Sequence, residues 1–325
     1  MDYKQAVKDQ NSLYSELILR WDADVLLRDL DAYIMRGIDN NKIPNIVNVT
    51  LNRPKVFYYN VTSALESTSE QVIVESEDEQ LDTKYIEDYV KKGFLAANAK
   101  LRKERKFKLN PYFDDQACIR GRIAARPLFR IEDGILITDI TYWDSHFVRF
   151  GTDDKGKQWA SFEGERLASD IESEAWAQEI GYKCTGMKAT VLDIWHSEGN
   201  EVHVDGAKEW EQEHQFGFCP VAIQIVTLGS MLADADSLYK QGESLFFLIR
   251  GVIPELNRLV SILQTLNLKT VKPPMKQKKR GGKGASKHDQ ITAMGANTAM
   301  FPDEDISPID FGDAQRSATI ALAMF

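Results

Sequence analysis

The segment from 234 to 268 places the strongest constraint on the fold, because its apolar residues do not fit on one side of a helix. Within GESLFFLIRGVIPELNRLVSILQTLNL, apolar residues recur at alternating steps of four and three, the spacing of a helix packed along a seam. Phe246, Ile253 and Val260 add apolar surface away from that seam. A helix that is apolar on several sides must be buried on several sides. The segment therefore either threads the core or packs among copies of itself in an oligomer. The seam consists of Leu245, Ile249, Val252, Leu256, Leu259, Leu263 and Leu266.

Pro254 predicts a kink in this helix. Proline removes an intrahelical N–H and clashes with the preceding turn. Gly251, three residues earlier, makes a break at this point easier. The helix is then expected to end before Pro273-Pro274.

The residues before position 230 predict one mixed α+β unit. Helical spacing alternates with short β-branched runs that are bounded by turn-forming residues. The predicted helices cover 12–37 and 80–105, the predicted strands cover 71–76 and 219–229 (the latter as a buried strand), and the predicted hairpins cover 122–140, with a turn at 132–134, and 190–206, with Gly199-Asn200 at the tip.

A basic, glycine-rich segment follows the long helix, KQKKRGGKGASKH at 276–288. Eight Lys or Arg and no acid lie between 269 and 288, whereas the rest of the chain holds 32 basic and 49 acidic residues. This distribution indicates one localised anionic partner and not general coating of nucleic acid. The segment is not a phosphate-binding loop of an ATPase, because Gly282-Lys283 is followed by Gly284 where Ser or Thr is required.

The best metal-like cluster lies in the second predicted hairpin. His196, Glu198, Glu201, His203 and Asp205 fall within ten residues, and a turn near Gly199-Asn200 would put the two histidines roughly opposite each other. Polar residues are also normal at a hairpin tip, and that explanation covers all five. We therefore predict no metal site. His214 is interpreted as a hydrogen-bonded histidine of the core or of a loop.

No other pattern indicates catalysis, so neither an enzyme nor a cofactor is predicted. The sequence contains no nucleophile elbow, zinc-protease motif or glycine-rich dinucleotide loop. Cys118, Cys184 and Cys219 form no C-x-x-C pair, which indicates reduced thiols in a cytosolic protein. No signal peptide and no apolar run of membrane-spanning length are present.

The order of these segments resembles the portal proteins of tailed bacteriophages. PKVFYYNVTSALESTSEQVIVESEDE resembles the helix and strand that follow the family's N-terminal arm. DDQACIRGRIAARPLF, ITDITYWDSHFVRFG and GKQW resemble its strand-rich wing. HQFGFCPVAIQIV resembles the strand that enters the long helix, and GESLFFLIRGVIPELNRLVSILQTLNLKTVKPP resembles the stem helix, with Asn257 and Ser261 at the expected places.

The resemblance implies an α+β portal protomer that assembles as a ring. Its implied parts are an N-terminal helical arm at 1–50, a mixed α/β wing at 51–233, a stem helix at 234–268, a basic clip at 269–308 and the start of a second stem helix at 309–325. The family's channel-lining helix and crown would follow position 325, so the sequence is expected to be a fragment or a truncated gene product.

The family's function implies the partners and the site residues. Typically twelve copies would form a ring at one capsid vertex of the virion, assembled in the host cytoplasm, and double-stranded DNA would pass through its channel during packaging and ejection. The large terminase subunit, head–tail adaptor or tail proteins, and the major capsid or scaffold protein would dock on it, with no membrane involved. The expected DNA or partner contacts are Lys276, Lys278, Lys279, Arg280, Lys283 and Lys287, and the expected oligomer interface is Leu245, Ile249, Val252, Leu256, Leu259 and Leu263.

Other readings of the sequence remain open at this point. The basic segment is equally consistent with a solvated loop, or with one that meets an adaptor and not DNA. The whole chain is also consistent with another ring-forming capsid-assembly or head–tail adaptor protein that has no DNA channel. An enzyme of unrecognised type is the third alternative, and stoichiometric zinc lost on His196→Ala would support it.

Overall fold

The structure of the chain is a computed structural model with a mixed α+β fold. It describes residues 2–68, 71–77, 81–132, 135–154, 156–226, 242–271, 275–279 and 304–308, and the single positions 316, 319, 320 and 323. The chain divides into two compact units. The first unit consists of Met1–Val25 and Val56–Phe247, and the second consists of Leu26–Lys55 and Leu248–Phe325.

The helices of the described residues begin and end where capping chemistry allows. Asp82 accepts a hydrogen bond from Tyr85 N–H at the start of the fourth helix, and basic residues in the last turn of that helix suit its dipole. The predicted helix at 80–105 is confirmed, since the fourth helix covers Thr83–Lys103. The helices are α1 Tyr3–Leu13, α2 Ser15–Asp29, α3 Arg53–Glu66, α4 Thr83–Lys103, α5 Leu109–Arg120, α6 Ala168–Glu172, α7 Ala175–Ile180 and α8 Val252–Val271.

The predicted helix at 12–37 was wrong at its C-terminal end, because α2 stops at Asp29. Leu30 adopts a left-handed backbone conformation with φ of 60°. Asp31 N–H donates to Leu26 O at 3.0 Å, and Leu30 N–H donates to Leu27 O at 3.4 Å. These two bonds form a Schellman-type stop, which satisfies carbonyl groups that the helix leaves free.

The described strands form three antiparallel sheets. In order across each sheet they are β2-β1-β8, β3-β4-β5-β6-β7 and β10-β9. Their bounds are β1 Arg122–Glu132, β2 Ile135–Trp143, β3 Val148–Asp153, β4 Gly156–Leu167, β5 Lys188–His196, β6 Gly199–Val204, β7 Ala207–Glu213, β8 Ala222–Ile225, β9 Met275–Lys279 and β10 Glu304–Pro308.

The strands of both predicted hairpins pair, residues 133 and 134 of the first predicted turn lie outside the described residues, and three details of the hairpin and strand predictions were wrong. β1 pairs with β2, and β5 pairs with β6, but Gly199 begins β6 and is not the tip. Over the described residues 219–226, the predicted buried strand at 219–229 forms only the short strand β8, whose residues alternate between exposed and half-buried, and 227–229 lie outside the described residues. Residues 71–76 form no strand in the structure.

The core of the first unit consists of several apolar clusters beside the sheets. One contains Ala124, Trp143, Val148 and Ala160, and it joins β1 and β2 to β3 and β4. A second places Val7 of α1 against Trp159, Leu192 and Ile194 of the five-stranded sheet.

Residues 26–55 belong to the second unit, so the prediction of one unit over 1–230 was wrong. The predicted helix at 234–268 was also wrong over its described N-terminal part, since residues 242–251 form turns and α8 begins at Val252. Pro254 therefore lies in the first turn of α8, where no intrahelical N–H is needed, and it starts the helix where a kink was predicted.

Candidate functional site

A stripe of buried polar residues runs along α8 in the second unit. Asn257, Ser261 and Thr265 are 5%, 0% and 4% exposed. They are four residues apart, so they lie on one face of the helix. Buried polar groups destabilise a protein unless they form hydrogen bonds, so each of these side chains requires a partner.

The backbone of residues 47–51 supplies these partners through three bonds, which we call the polar ladder. The hydroxyls of Ser261 and Thr265 also donate to the carbonyl oxygen four residues earlier, each at 2.7 Å. Each hydroxyl thus both donates and accepts. The ladder bonds run from Leu51 N–H to Asn257 Oδ1 at 2.9 Å, from Val49 N–H to Ser261 Oγ at 2.9 Å and from Val47 N–H to Thr265 Oγ1 at 3.0 Å.

The polar ladder forms because the repeat of the helix nearly matches the repeat of the extended chain beside it. Four helical residues advance about 6 Å, and two residues of extended chain advance about 6.6 Å. Every second N–H of residues 47–51 can therefore meet a side chain on the next turn of α8. The two segments run in opposite directions, since residue numbers rise along one as they fall along the other.

The same segment is held from its other side by residues 33–43. Tyr33 N–H donates to Thr50 Oγ1, and Met35 N–H donates to Asn48 Oδ1, both at 2.8 Å. Ile43 N–H donates to Met35 O at 3.1 Å. Residues 33–50 therefore fold back on themselves and fasten to α8.

Sequence reasoning placed Asn257 and Ser261 on the long helix without giving them a role, and it missed Thr265. The available signal was Asn, Ser and Thr at four-residue steps on an otherwise apolar helix. The acceptors Asn48 and Thr50 carried no such signal, because they lie outside any regular helix or strand.

The six predicted interface residues differ in how much of each side chain is exposed and in which part of the fold holds them. Leu256 is only 5% exposed within the chain, so it leaves little surface for a neighbour, and its place in an oligomer interface stays a prediction. Val252 is 37% exposed, and the other four are half-buried. Leu248 and Leu268, which were not predicted, expose more apolar surface at 74% and 50%. Leu245 belongs to the first unit and Ile249 to the turns before α8, whereas Val252, Leu256, Leu259 and Leu263 lie on α8.

The first part of the basic segment forms a strand opposite acidic residues. Lys276, Lys278 and Lys279 lie in β9, which pairs with β10. The register sets Lys278 opposite Asp305 and Lys279 opposite Glu304. Opposite charges at directly facing positions stabilise an antiparallel pair. Arg280, Lys283 and Lys287 lie outside the described residues.

Arg122 is buried in the first unit within a cage of aromatic rings. Its side chain is 1% exposed, and its guanidinium carbon lies 5.4 Å from the ring centres of Tyr14 and Trp21 and 5.2 Å from that of Phe150. Burial lowers the pKa of Arg122 to about 10, an effect that interaction with Tyr14 partly offsets. The cage joins Tyr14, which lies between α1 and α2, and residues of α2 and β3 to the first residue of β1, so this arginine has a structural role.

The histidines of the metal-like cluster do not face each other. His196 pairs in register with Trp159, whereas His203 pairs with Leu192. His196 stacks on Tyr3 at 4.7 Å between ring centres, and its Nδ1 accepts from Gly199 N–H at 3.1 Å. His203 Nε2 lies 3.0 Å from Glu201 Oε2. Across the part of the chain that the structure describes, no group of three or more His, Cys, Asp or Glu side chains is placed to hold a metal ion.

His214, the remaining predicted structural histidine, stacks on Trp195 at 5.9 Å between ring centres.

None of the helices that the structure describes is both long and apolar enough to span a lipid bilayer. Comparison of the sequence with known protein families and with curated proteins gave no match.

Proposed function

We propose that this chain is the portal protein of a tailed bacteriophage, a non-enzymatic protein of the virion that forms a ring at the capsid vertex. The observation that carries the proposal is the order of the elements. A strand-rich α/β unit leads to the long helix α8, the charged strand pair β9–β10 follows, and the described positions Arg316, Thr319, Ile320 and Ala323 are helical again. Wing, stem, clip and second stem follow in that order in the portal family.

The stem assignment is supported by the surface of α8. The polar ladder occupies one side of the helix, and Val252 and Leu268 remain 37% and 50% exposed elsewhere. Exposed apolar side chains on a helix can mark a contact site, because their burial against neighbouring copies is favourable. In a ring, each α8 packs beside the same helix of the next copy.

If the basic segment is a clip, its cations divide between the strand pair β9–β10 and contacts with DNA or a docking partner. The register sets Lys278 opposite Asp305 and Lys279 opposite Glu304, and we expect opposite charges at facing positions to support the strand pair. Lys276, Arg280, Lys283 and Lys287 supply further cations for phosphates of passing DNA or for an acidic docking partner. The terminase and the adaptor are the partners that this function requires.

Sedimentation of the purified chain over a wide range of concentrations tests the proposal. We expect a discrete species of about twelve times the chain mass of 36.9 kDa, and a dimer or monomer at every concentration would contradict it. A ring without a central channel would instead support a capsid-assembly or adaptor protein.

A further inference from the structure

Residues 71–77 have the side-chain pattern of a strand without a strand partner. Val72 and Val74 are half-buried, whereas Gln71, Ile73 and Glu75 are exposed, and Ile73 is 63% exposed. This alternation is the period of a strand. Val74 N–H donates to Glu87 Oε1 on α4 at 3.0 Å, so one side of the segment is already occupied. Backbone groups alternate as side chains do, so those of Ile73 and Glu75 point to the opposite side.

β8, Ala222–Ile225, presents a four-residue strand edge. Within the described residues it pairs with β1 alone. Val226 N–H donates to Gly121 O at 2.9 Å, and bonded pairs recur at every second residue of an antiparallel ladder. The backbone groups of Ile223 and Ile225 therefore point away from β1.

Two adjoining apolar depressions lie on the sheet face that carries Ala222 of β8 and Pro127 of β1, with volumes of about 290 and 470 Å³. Both are lined by Pro127, Ala222 and Lys157, and Phe216 and Phe218 lie on the smaller one. Lys157 is the one charged residue among the described residues that line them. It is half-buried, and this burial lowers the pKa of its ammonium group. A carboxylate beside it would stabilise the charged form.

We propose that residues 71–77 of one copy add as a parallel strand to the outer edge of β8 in the next copy, with Ile73 facing Gln224 over the apolar depressions and Glu75 beside Lys157. Ile73 and Glu75 are two residues apart, so both side chains point to the same face of the added strand. The acidic charge complements the single lysine, and Ile73 buries its exposed apolar surface.

The two surfaces suit a ring of copies. The donor segment is bonded to α4, and α4 packs on β2, where Lys100 Nζ lies 2.7 Å from Asp139 Oδ1. β2 and β8 are the opposite edges of their sheet. A contact between two different surfaces repeats head to tail and closes a ring when the rotation allows. The inference therefore rests on the proposed portal function and names the surface by which each copy contacts the next.

Disulfide trapping tests the contact. In a Cys184→Ser background, Ile73→Cys with Gln224→Cys should give a ladder of linked chains on mild oxidation. The matched control combines Gln224→Cys with Met187→Cys, since Met187 is 88% exposed outside the donor segment. The control pair and each single variant should give at least tenfold less linked product.

A charge exchange tests the same contact in solution. Glu75→Lys should raise the concentration needed for assembly at least tenfold, and adding Lys157→Glu should restore assembly while the single variants keep their unfolding transition. Wild-type rings with no linked product and with Glu75→Lys assembly unchanged would overturn the strand contact and leave the portal proposal intact. Linked pairs from a protein that forms no ring would support the contact and contradict the portal proposal, whereas a protein monomeric at all concentrations, with no linked product, would overturn both.

Discussion

At the scale of single residues, Gly121 fixes the end of α5 against a neighbouring segment of the first unit. Its φ is 59°, and a Cβ at this position would lie 2.2 Å from Glu243 O. The carbonyl carbon of Gly242 would lie 2.6 Å from the same Cβ, and the Gly242 carbonyl oxygen accepts from Trp21 Nε1 at 2.7 Å. The close approach leaves no room for a side chain, so two backbone segments meet directly.

We predict that Gly121→Ala destabilises the protein far more than Gly181→Ala. Both glycines end a helix in the left-handed region, with φ of 59° and 66°, but a Cβ at Gly181 meets nothing within 4 Å. Gly181→Ala should therefore cost only the backbone strain of about 1–2 kcal/mol. Gly121→Ala adds a backbone clash. Denaturant unfolding should therefore show that it lowers the free energy of unfolding by several kcal/mol more than Gly181→Ala does. Equal losses in the two variants would show that the close approach does not exist.

A second residue-scale prediction concerns pH. Burial lowers the pKa of His196 below its usual 6.5, although Glu201 opposes this shift, and its Nδ1 accepts a backbone hydrogen bond that protonation removes. Because the folded state binds the proton less readily than the unfolded state, stability is complete above pH 6.5 and falls as the pH drops below it. The melting temperature of the wild type should fall between pH 7 and 5, and His196→Gln should reduce that fall. An unchanged slope in the variant would contradict this account.

At the scale of elements, the polar ladder decides where residues 47–51 lie. Thr265→Val preserves the shape of the side chain but removes the acceptor of the part-buried hydrogen bond from Val47 N–H, so we predict that the free energy of unfolding falls by about 1 kcal/mol. The amides of residues 47–51 should also exchange with deuterium faster. Thr270→Val is the matched control, because exposed Thr270 makes the same bond to the carbonyl four residues earlier, at 2.9 Å, and should change stability by less than about 0.5 kcal/mol. The prediction fails if both variants behave alike.

The pairing of β9 with β10 changes how the basic segment must be tested. Lys278→Glu places like charges opposite each other, so it should destabilise the strand pair, and Asp305→Lys in the same chain should restore it. Amide exchange across residues 275–279 measures the pairing. Packaging defects caused by loss of DNA or partner contact should instead follow Arg280→Gln and Lys283→Gln. Packaging that recovers fully with the Lys278→Glu and Asp305→Lys exchange would assign Lys278 to the strand pair alone.

The elements that local pattern determines were predictable, and those that depend on distant partners were not. The capped helix α4 and the two hairpins follow from spacing, caps and turns within a few residues. The place of residues 26–55 depends on side chains more than 200 positions away on α8, and no local pattern encodes that distance. Residues 71–76 were predicted as a strand from their β-branched residues, but a strand also needs a neighbour, and no strand among the described residues pairs with them.

At the scale of the whole molecule, each chain has apolar surface that one copy does not cover. Leu248 and Leu268, the outer edge of β8 and exposed Ile73 are separate parts of that surface. A chain with several such regions on different elements is suited to permanent neighbours. The proposed ring covers them and leaves the charged strand pair β9–β10 for DNA or docking partners.

Imaging of the purified assembly by electron cryomicroscopy tests the central claim most directly. The account predicts a closed ring of about twelve copies, with α8 of each copy packed beside its neighbours around a central channel wide enough for duplex DNA. Particles without a channel, or a chain that stays monomeric at high concentration, would contradict it.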